Sequence, residues 1–164
     1  MTPLEQQMAF YIRYHHDPRN KATHFVGVPL ITFSLFIPLS WLAVEVSGVQ
    51  VTAAHLLVAV VLAYYLYLDA GLALALVLVV AALLYAAQSV AGLGYATGWA
   101  VFAAAFVGGW ILQLVGHWFE GRRPALVDNI WQIFVAPLFL MVEALALLGW
   151  KRNLLRRAEE LAAS

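Results

Sequence analysis

Four of the five histidines in this sequence lie near the ends of apolar segments, where they could bind a metal ion. His15, His16 and His24 lie at the start of the first apolar segment, and His117 ends a later one, shortly before Glu120. Imidazole is a suitable ligand for iron, zinc, copper or nickel. Several histidines and a carboxylate from separate helices are typical of a mononuclear or dinuclear non-haem site in a helical bundle. A single histidine at such a position is more often a hydrogen-bonding group, so this prediction depends on their joint placement.

Helical spacing places further polar side chains beside these histidines. Asn20 and His24 are four residues apart and therefore share a helix face. Gln113, His117 and Glu120 follow the i, i+4, i+7 pattern and also share one face. Three glycines on the later segment would let a neighbouring helix approach closely: Gly108, Gly109 and Gly116. The spacing therefore predicts two polar faces that can meet.

Residues 2–16 are predicted to form an amphipathic helix in the membrane interface. Thr2 and Glu5 fit a capping box, and Pro3 suits the first helical turn. The spacing 0, 4, 7 and 11 places four residues on one face: Leu4, Met8, Tyr11 and His15. This helix would turn His15 inward, and Asp17-Pro18 is typical of the start of a second helix.

The composition predicts an integral membrane protein. Of its 164 residues, 64% are hydrophobic and 11% are charged, whereas a soluble domain is about half apolar and a quarter charged. No basic patch interleaves with aromatic residues, so nucleic-acid binding is not indicated. The absence of cysteine excludes disulfides, thiolate metal sites and cysteine nucleophiles. We expect an all-α polytopic helical bundle that forms one domain over residues 1–164.

The apolar segments are five in number, and four are predicted to cross the bilayer. They comprise residues 25–46, 52–68, 70–91, 97–117 and 130–149. The second and third are separated only around Asp69, so they form either a tight hairpin or one long bent segment. The fifth contains Pro137 and Glu143, which are unfavourable in a lipid-facing span. We therefore expect a re-entrant or interfacial segment there in preference to a fifth span.

The distribution of basic residues predicts the orientation. All Lys and Arg lie within residues 13–21, 122–123 and 151–157. Basic residues are enriched on the cytoplasmic side, so four crossings would leave both termini in the cytoplasm. The membrane would be the bacterial inner membrane, or the endoplasmic reticulum in a eukaryote. The polar residues around His24 and His117 would then share the cytoplasmic boundary of the bilayer.

The remaining polar residues have simpler interpretations. His55 lies toward the opposite side of the membrane and is predicted to be structural. Asp69 is expected to be a turn or cap residue. Asp128 and Asn129 either cap the last apolar helix or hold a metal-binding histidine in place. The basic C-terminal cluster is expected to contact anionic headgroups.

Two long motifs in the chain resemble those of a known family. The first motif consists of Tyr14-His15, Pro18, Asn20, His24 and Gly27-Val28-Pro29. The second runs from Gln113 through His117, Glu120 and Arg122 to Leu126, and Asp128-Asn129 and residues 132–137 extend it. These motifs are similar to those of the small membrane dioxygenases that act on 2-hydroxy fatty acids, first recognised in yeast sphingoid-base degradation. The resemblance covers almost the whole chain.

The resemblance implies an iron(II)-dependent α-oxidation. A long-chain 2-hydroxy fatty acid would react with dioxygen to give a fatty acid one carbon shorter, and membrane lipid would be a further partner of the protein. The implied metal ligands are His15, His24 and His117, with His16 at a more variable position. Glu120 is implied as a ligand or as a support for one, and the candidate supporting groups are Asn20, Gln113 and Asp128. Arg122 or Arg123 could hold the substrate carboxylate, because a guanidinium can bind both of its oxygens.

Other functions remain open at the level of the sequence. A bis-histidine haem protein, or a protein that binds another metal, would use the same histidines. A transporter would require polar groups at the middle of the bilayer, and the apolar segments contain almost none. A non-catalytic scaffold would tolerate alanine at every histidine.

Overall fold

The computed structural model describes residues 1–163 as a helical bundle with one β-hairpin. The helices are α1 (Pro3–Ile12), α2 (Pro18–Trp41), α3 (Ala53–Leu68), α4 (Ala70–Ala91), α5 (Tyr95–Glu120), α6 (Ala125–Asp128), α7 (Gln132–Leu147) and α8 (Arg152–Ala163). Strands β1 (Ala43–Val46) and β2 (Val49–Thr52) pair antiparallel between α2 and α3. The predicted all-α class is confirmed.

Three helices, α2, α4 and α5, are long and apolar enough to cross a membrane. Helices α3 and α7 contain 16 residues each. At 1.5 Å per residue such a helix is about 24 Å long, whereas the hydrocarbon layer is about 30 Å thick. The structure therefore supports a membrane protein, and the number of crossings stays a prediction.

The first predicted span, residues 25–46, extends too far. Helix α2 ends at Trp41, and the next residues form β1. Valine favours strands because its branched side chain suits a pleated surface, and the hairpin carries Val44, Val46, Val49 and Val51. Ser47 and Gly48 both have positive φ, at 51° and 80°, as the tightest hairpin turns require. Apolar composition alone did not distinguish this hairpin from a continued helix.

The predicted helix starts are confirmed. Thr2 and Glu5 form the capping box of α1, and Asp17 caps α2 by accepting from the backbone of Arg19. Asp69 separates α3 from α4 and accepts from the backbone N–H of Leu72 at 3.0 Å. The second and third apolar segments are therefore two helices, as the hairpin interpretation requires.

Helices α2 and α5 pack closely because glycines line their contact. An added Cβ at Gly27 would lie 2.5 Å from the amide nitrogen of Gln113, and one at Gly109 would lie 2.7 Å from Ile31. Gly116 packs against Asn20 in the same way. The prediction was wrong for Gly108, where an added Cβ meets nothing within 4 Å.

Two apolar clusters form the interior. One joins α1, α7 and α8 to the adjoining ends of α3 and α4 and includes Met8, Tyr65 and Phe139. The other lies farther along α2, α3 and α4 and includes Ile37 and Ala87.

Three of the four C-terminal basic residues belong to a helix, α8, that the sequence analysis did not predict, and Lys151 directly precedes it. Helix α8 buries Ala158 against the first apolar cluster. Arg157 lies 3.4 Å from Glu5 of α1, and Lys151 lies 2.5 Å from Asp69. Basic residues predicted to contact lipid headgroups therefore also hold the N-terminal half of the fold together.

Candidate metal site and its cavity

Three buried histidines converge at one end of the bundle. His15 follows α1, His24 lies on α2 and His117 lies on α5, and their nearest ring nitrogens are all within 4.8 Å of one another. The Nε2 atoms of His15 and His24 are 3.2 Å apart. The three residues could therefore hold a metal ion.

Hydrogen bonds define the orientation of two of these rings. The Nδ1 atom of His15 lies 2.8 Å from the carbonyl oxygen of Tyr11, and Nδ1 of His24 lies 2.9 Å from that of Asn20. A carbonyl can only accept, so each Nδ1 carries a proton and each neutral ring presents a lone pair at Nε2. Burial lowers the pKa of His15 to about 2, which keeps this ring neutral. Two lone pairs that face each other repel unless a cation lies between them, as in a histidine metal site.

Tyr11 supports His15 from α1. The two rings are parallel, with centroids 3.8 Å apart, and Phe139 packs against Tyr11 from α7. The predicted inward face of α1 is confirmed for Leu4, Met8 and Tyr11, which are buried. The predicted helix 2–16 was too long, since α1 ends at Ile12 and the buried His15 lies in the loop that follows. Packing against Tyr11 therefore holds His15 in place although it lies in a loop.

Glu120 connects the end of α5 to the loop that carries His15. Its two oxygens accept from the backbone N–H groups of His16 at 2.8 Å and Asp17 at 2.9 Å, and from the amide of Asn20 at 2.9 Å. Asn20 in turn donates to the carbonyl of Tyr14 at 3.2 Å. Of the two roles predicted for Glu120, this geometry favours that of a support.

The other predicted site residues lie outside the histidine cluster. The side chain of His16 is exposed. The guanidinium of Arg122 donates to the carbonyl of Arg13 at 2.9 Å, and Arg123 pairs with Asp128 at 2.5 Å. These residues do not line the cavity described below. Their predicted roles in metal or substrate binding stay predictions.

The side chain of Asp128 contacts Tyr14 and Arg123. The two predicted partners were the start of the last apolar helix and a metal-binding histidine. One of its oxygens accepts from the hydroxyl of Tyr14 at 2.7 Å, which raises the pKa of Tyr14. Helix α7 starts without a side-chain cap, and the side chain of Asn129 accepts from Trp131 ahead of it. Asp128 therefore holds the loop after α1 to the segment after α5.

His55 has a structural position, as predicted. It forms a capping box with Thr52 at the start of α3 and lies 3.2 Å from the amide of Gln88. Both residues lie at the end of the bundle that is remote from His24 and His117.

A long apolar cavity of about 500 Å³ starts at the three histidines. Its walls come from helices α1 to α7, and its far end is lined by Phe36, Leu57 and Leu83. From His24 to Phe36 the cavity follows twelve residues of α2, or about 18 Å at 1.5 Å per residue. A site with this shape and lining can hold an acyl chain whose polar end faces the histidines.

Four polar atoms in the described part of the chain are buried without a hydrogen-bond partner, and all are near this site. They are Asn20 Oδ1, Gln113 Nε2, His117 Nδ1 and Gln132 Oε1. Buried polar groups normally have hydrogen-bond partners, so these four atoms are candidates to contact a bound ion, water or ligand. The sequence analysis had not singled out Gln132 or Tyr11 as site residues, although the i, i+4 spacing of Tyr11 and His15 was a usable signal.

Comparisons with known proteins place the chain within a family of described activity. The family model for 2-hydroxy-palmitic acid dioxygenase Mpo1-like proteins matches residues 1–147. The 2-hydroxy-palmitic acid dioxygenase MPO1 of Saccharomyces cerevisiae (strain ATCC 204508 / S288c) is 37% identical over 156 residues, which are 94% of this chain and 86% of the relative. No solved structure matches the chain. The family match includes the three buried histidines and every residue that lines the cavity.

Proposed function

This chain belongs to the Mpo1-like family of 2-hydroxy-palmitic acid dioxygenases, and we propose that it is itself a 2-hydroxy fatty acid dioxygenase that uses iron(II). A long-chain 2-hydroxy fatty acid and one dioxygen would give a fatty acid one carbon shorter, with the carboxyl carbon leaving as carbon dioxide and one molecule of water formed. The observation that carries this proposal is the cluster of three buried histidines at one end of an acyl-sized apolar cavity.

The residues present suit iron. His15, His24 and His117 provide imidazole nitrogens, which bind iron and leave positions for other ligands. Bound there, iron(II) would supply the activation of dioxygen that this chemistry requires. A haem is disfavoured, because Nε2 atoms of His15 and His24 only 3.2 Å apart leave no space for a porphyrin between them.

The protein itself would position the substrate and exclude water from it within the apolar cavity. The cavity would hold the acyl chain along α2 and α4, so that the carboxylate and the 2-hydroxyl lie at the histidine end. Fixing reactants in this way can lower a barrier by many kcal/mol. An ordinary fatty acid lacks the 2-hydroxyl and cannot present two neighbouring oxygen ligands in the same position.

The membrane location suits this substrate. Three helices are long and apolar enough to cross a bilayer, and a fatty acid partitions into the bilayer with its carboxylate at the interface. A site near the cytoplasmic boundary would receive the carboxylate at the histidines and the chain in the bundle.

The test is a mass-spectrometric assay of the iron-loaded protein in detergent with air. We expect it to shorten 2-hydroxypalmitic acid by one carbon and to leave palmitic acid unchanged. His24→Ala and His117→Ala should each lose most of the iron and the activity, whereas His55→Ala should keep both.

Two results would contradict the proposal. The absence of a shortened acid at any chain length, with iron bound, would reject the substrate. Loss of iron from His55→Ala but not from His117→Ala would reject the metal site.

A further inference from the structure

The cavity has no positive side chain to receive a carboxylate. Among the described residues, no lysine or arginine lines it. Arg122 and Arg123 are occupied outside it by the carbonyl of Arg13 and by Asp128. If this cavity holds a fatty acid, as the proposed function requires, the partners left for its carboxylate are the metal ion and neutral hydrogen-bond donors among the described lining residues.

Most polar groups that line the cavity are already used in hydrogen bonds. Thr32 donates to the carbonyl of Val28, and Tyr65 donates to that of Phe134. The amide nitrogen of Gln132 donates to Gln7. In the described part of the chain, the unused donors apart from the histidine rings are the hydroxyl of Tyr11, the amide nitrogen of Gln113 and the indole N–H of Trp110. Trp110 lies seven residues before His117 on α5, about 10 Å farther from the histidines, whereas Tyr11 and Gln113 lie within one helical turn of a histidine in the sequence.

Tyr11 is placed beside the histidines by three contacts. Its ring is parallel to that of His15, its carbonyl accepts from His15 Nδ1, and Phe139 packs against its ring. Only 3% of the residue is exposed. A tyrosine hydroxyl is protonated at neutral pH and can donate a hydrogen bond.

Gln113 provides a second donor from another helix. It lies one turn before His117 on α5 and is 7% exposed. Its amide nitrogen packs against Gly27 of α2, where an added Cβ would lie 2.5 Å away. An unpaired buried donor costs free energy, and a bound carboxylate would satisfy it.

We propose that Tyr11 and Gln113 together bind the carboxylate of the substrate through neutral hydrogen bonds. This rests on the proposed function. Neutral donors avoid the cost of burying a guanidinium or an ammonium group, and they leave charge compensation to the ion that the histidines hold. Hydrogen bonds to a charged group are stronger than those between neutral groups.

Tyr11→Phe tests the proposal, because it removes one hydroxyl and keeps the ring that packs on His15. Binding of 2-hydroxypalmitic acid and of 1,2-hexadecanediol, which lacks the carboxylate, is measured on iron-loaded protein under nitrogen. We expect about 10- to 100-fold weaker binding of the acid, unchanged binding of the diol and an unchanged iron content. Gln113→Leu should produce the same selective loss.

Tyr64→Phe is the matched control, since Tyr64 lies outside the cavity lining, and it should bind both compounds like the unmodified protein. Equal acid binding by Tyr11→Phe and the unmodified protein would overturn the proposal. So would loss of iron from Tyr11→Phe, which would assign Tyr11 to the support of His15 alone.

A selective loss of acid binding in Arg122→Gln or Arg123→Gln, with Tyr11→Phe unaffected, would also overturn it. If the unmodified protein shortens 2-hydroxypalmitic acid while Tyr11→Phe binds the acid normally, only this inference fails. If the unmodified protein neither binds nor shortens the acid, the proposed function fails with it.

Discussion

At the scale of single residues, the site depends on atoms that hold the histidines as much as on the histidines themselves. Asn20 illustrates this. Its carbonyl orients His24, its amide nitrogen donates to Glu120, and Gly116 is the surface against which it packs. A small displacement of Asn20 would therefore move His24 and the loop before it together.

This arrangement predicts opposite effects for two glycines on α5. In Gly116→Ala the new methyl group would overlap Asn20 and the Thr23 hydroxyl, which cannot yield without breaking their hydrogen bonds. We expect a loss of about 1–3 kcal/mol of stability and a lower iron content, measured by thermal unfolding in detergent and metal analysis.

Gly108→Ala is the control, because an added methyl group there meets only open space. Alanine favours helix over glycine by up to about 1 kcal/mol, so this variant should be as stable as the unmodified protein or more so. Equal destabilisation of the two variants would show that the contact between Gly116 and Asn20 does not determine the position of the histidines.

Helical spacing and the predicted membrane topology placed His15, His24 and His117 at one end of the bundle, and the family resemblance implied that these three are the metal ligands. The environment of Arg122 and Arg123 could not be predicted from the sequence, since it depends on contacts with Arg13 and Asp128 that lie outside any periodic pattern. Tyr11 was predicted as a packing residue, but a hydroxyl without a partner is a property of the folded interior.

At the scale of elements, the cavity runs from one of the two apolar clusters to the other. The cluster around α1, α7 and α8 forms one end, and the cluster farther along α2, α3 and α4 forms the other. Phe36, Leu57 and Leu83 belong to the second cluster and also line the cavity. The distance between the second apolar cluster and the histidines therefore limits the length of an acyl chain that the cavity can hold.

A larger side chain at the far end of the cavity should shift the preference of the enzyme toward substrates with shorter acyl chains. In Leu83→Trp the indole would occupy the far end of the cavity, and overpacking with a long chain costs about 1–3 kcal/mol. We expect kcat/KM to fall about 10- to 100-fold for 2-hydroxypalmitic acid and to change little for 2-hydroxylauric acid, measured by competition between the two.

Leu78→Trp serves as the control, since Leu78 is an exposed residue on the same helix and lies outside the cavity lining. Its chain-length preference should match that of the unmodified protein. If kcat/KM fell equally for both acids in Leu83→Trp, the far end of the cavity would not determine the chain-length preference.

The elements themselves were predictable where polar residues interrupt apolar segments, as at Asp17 and Asp69. The hairpin before α3 was missed because its valines are apolar enough to continue a span. Helix α8 was missed because its few apolar residues matter only when α1 supplies a surface for them.

At the scale of the whole molecule, contacts at both ends of α3 bear on the number of crossings. At its start His55 lies beside Gln88 at the far end of α4. At its end Tyr65 bonds to Phe134 and Asp69 pairs with Lys151, on the histidine side. These contacts support a fourth crossing by a helix of 16 residues.

Contacts of α7 support its predicted interfacial position. Gln132 at its start bonds to Gln7 of α1, and Lys151 just beyond its end pairs with Asp69. Both ends thus lie on the histidine side of the bundle. Glu143, unfavourable in lipid, is paired with Lys21 at 2.5 Å.

Four crossings with an interfacial α7 predict that both termini face the cytoplasm. Basic residues are absent from residues 22–121, which include the hairpin and the loop between α4 and α5 that would lie outside. Reporter fusions at Ser164 and near Ser47 would measure this, with a cytoplasmic signal expected at Ser164 and an external signal at Ser47. A cytoplasmic signal at Ser47 or an external one at Ser164 would contradict it, because either requires an odd number of crossings or an inverted bundle. The expected result would place the three histidines at the cytoplasmic boundary, where a fatty acid presents its carboxylate.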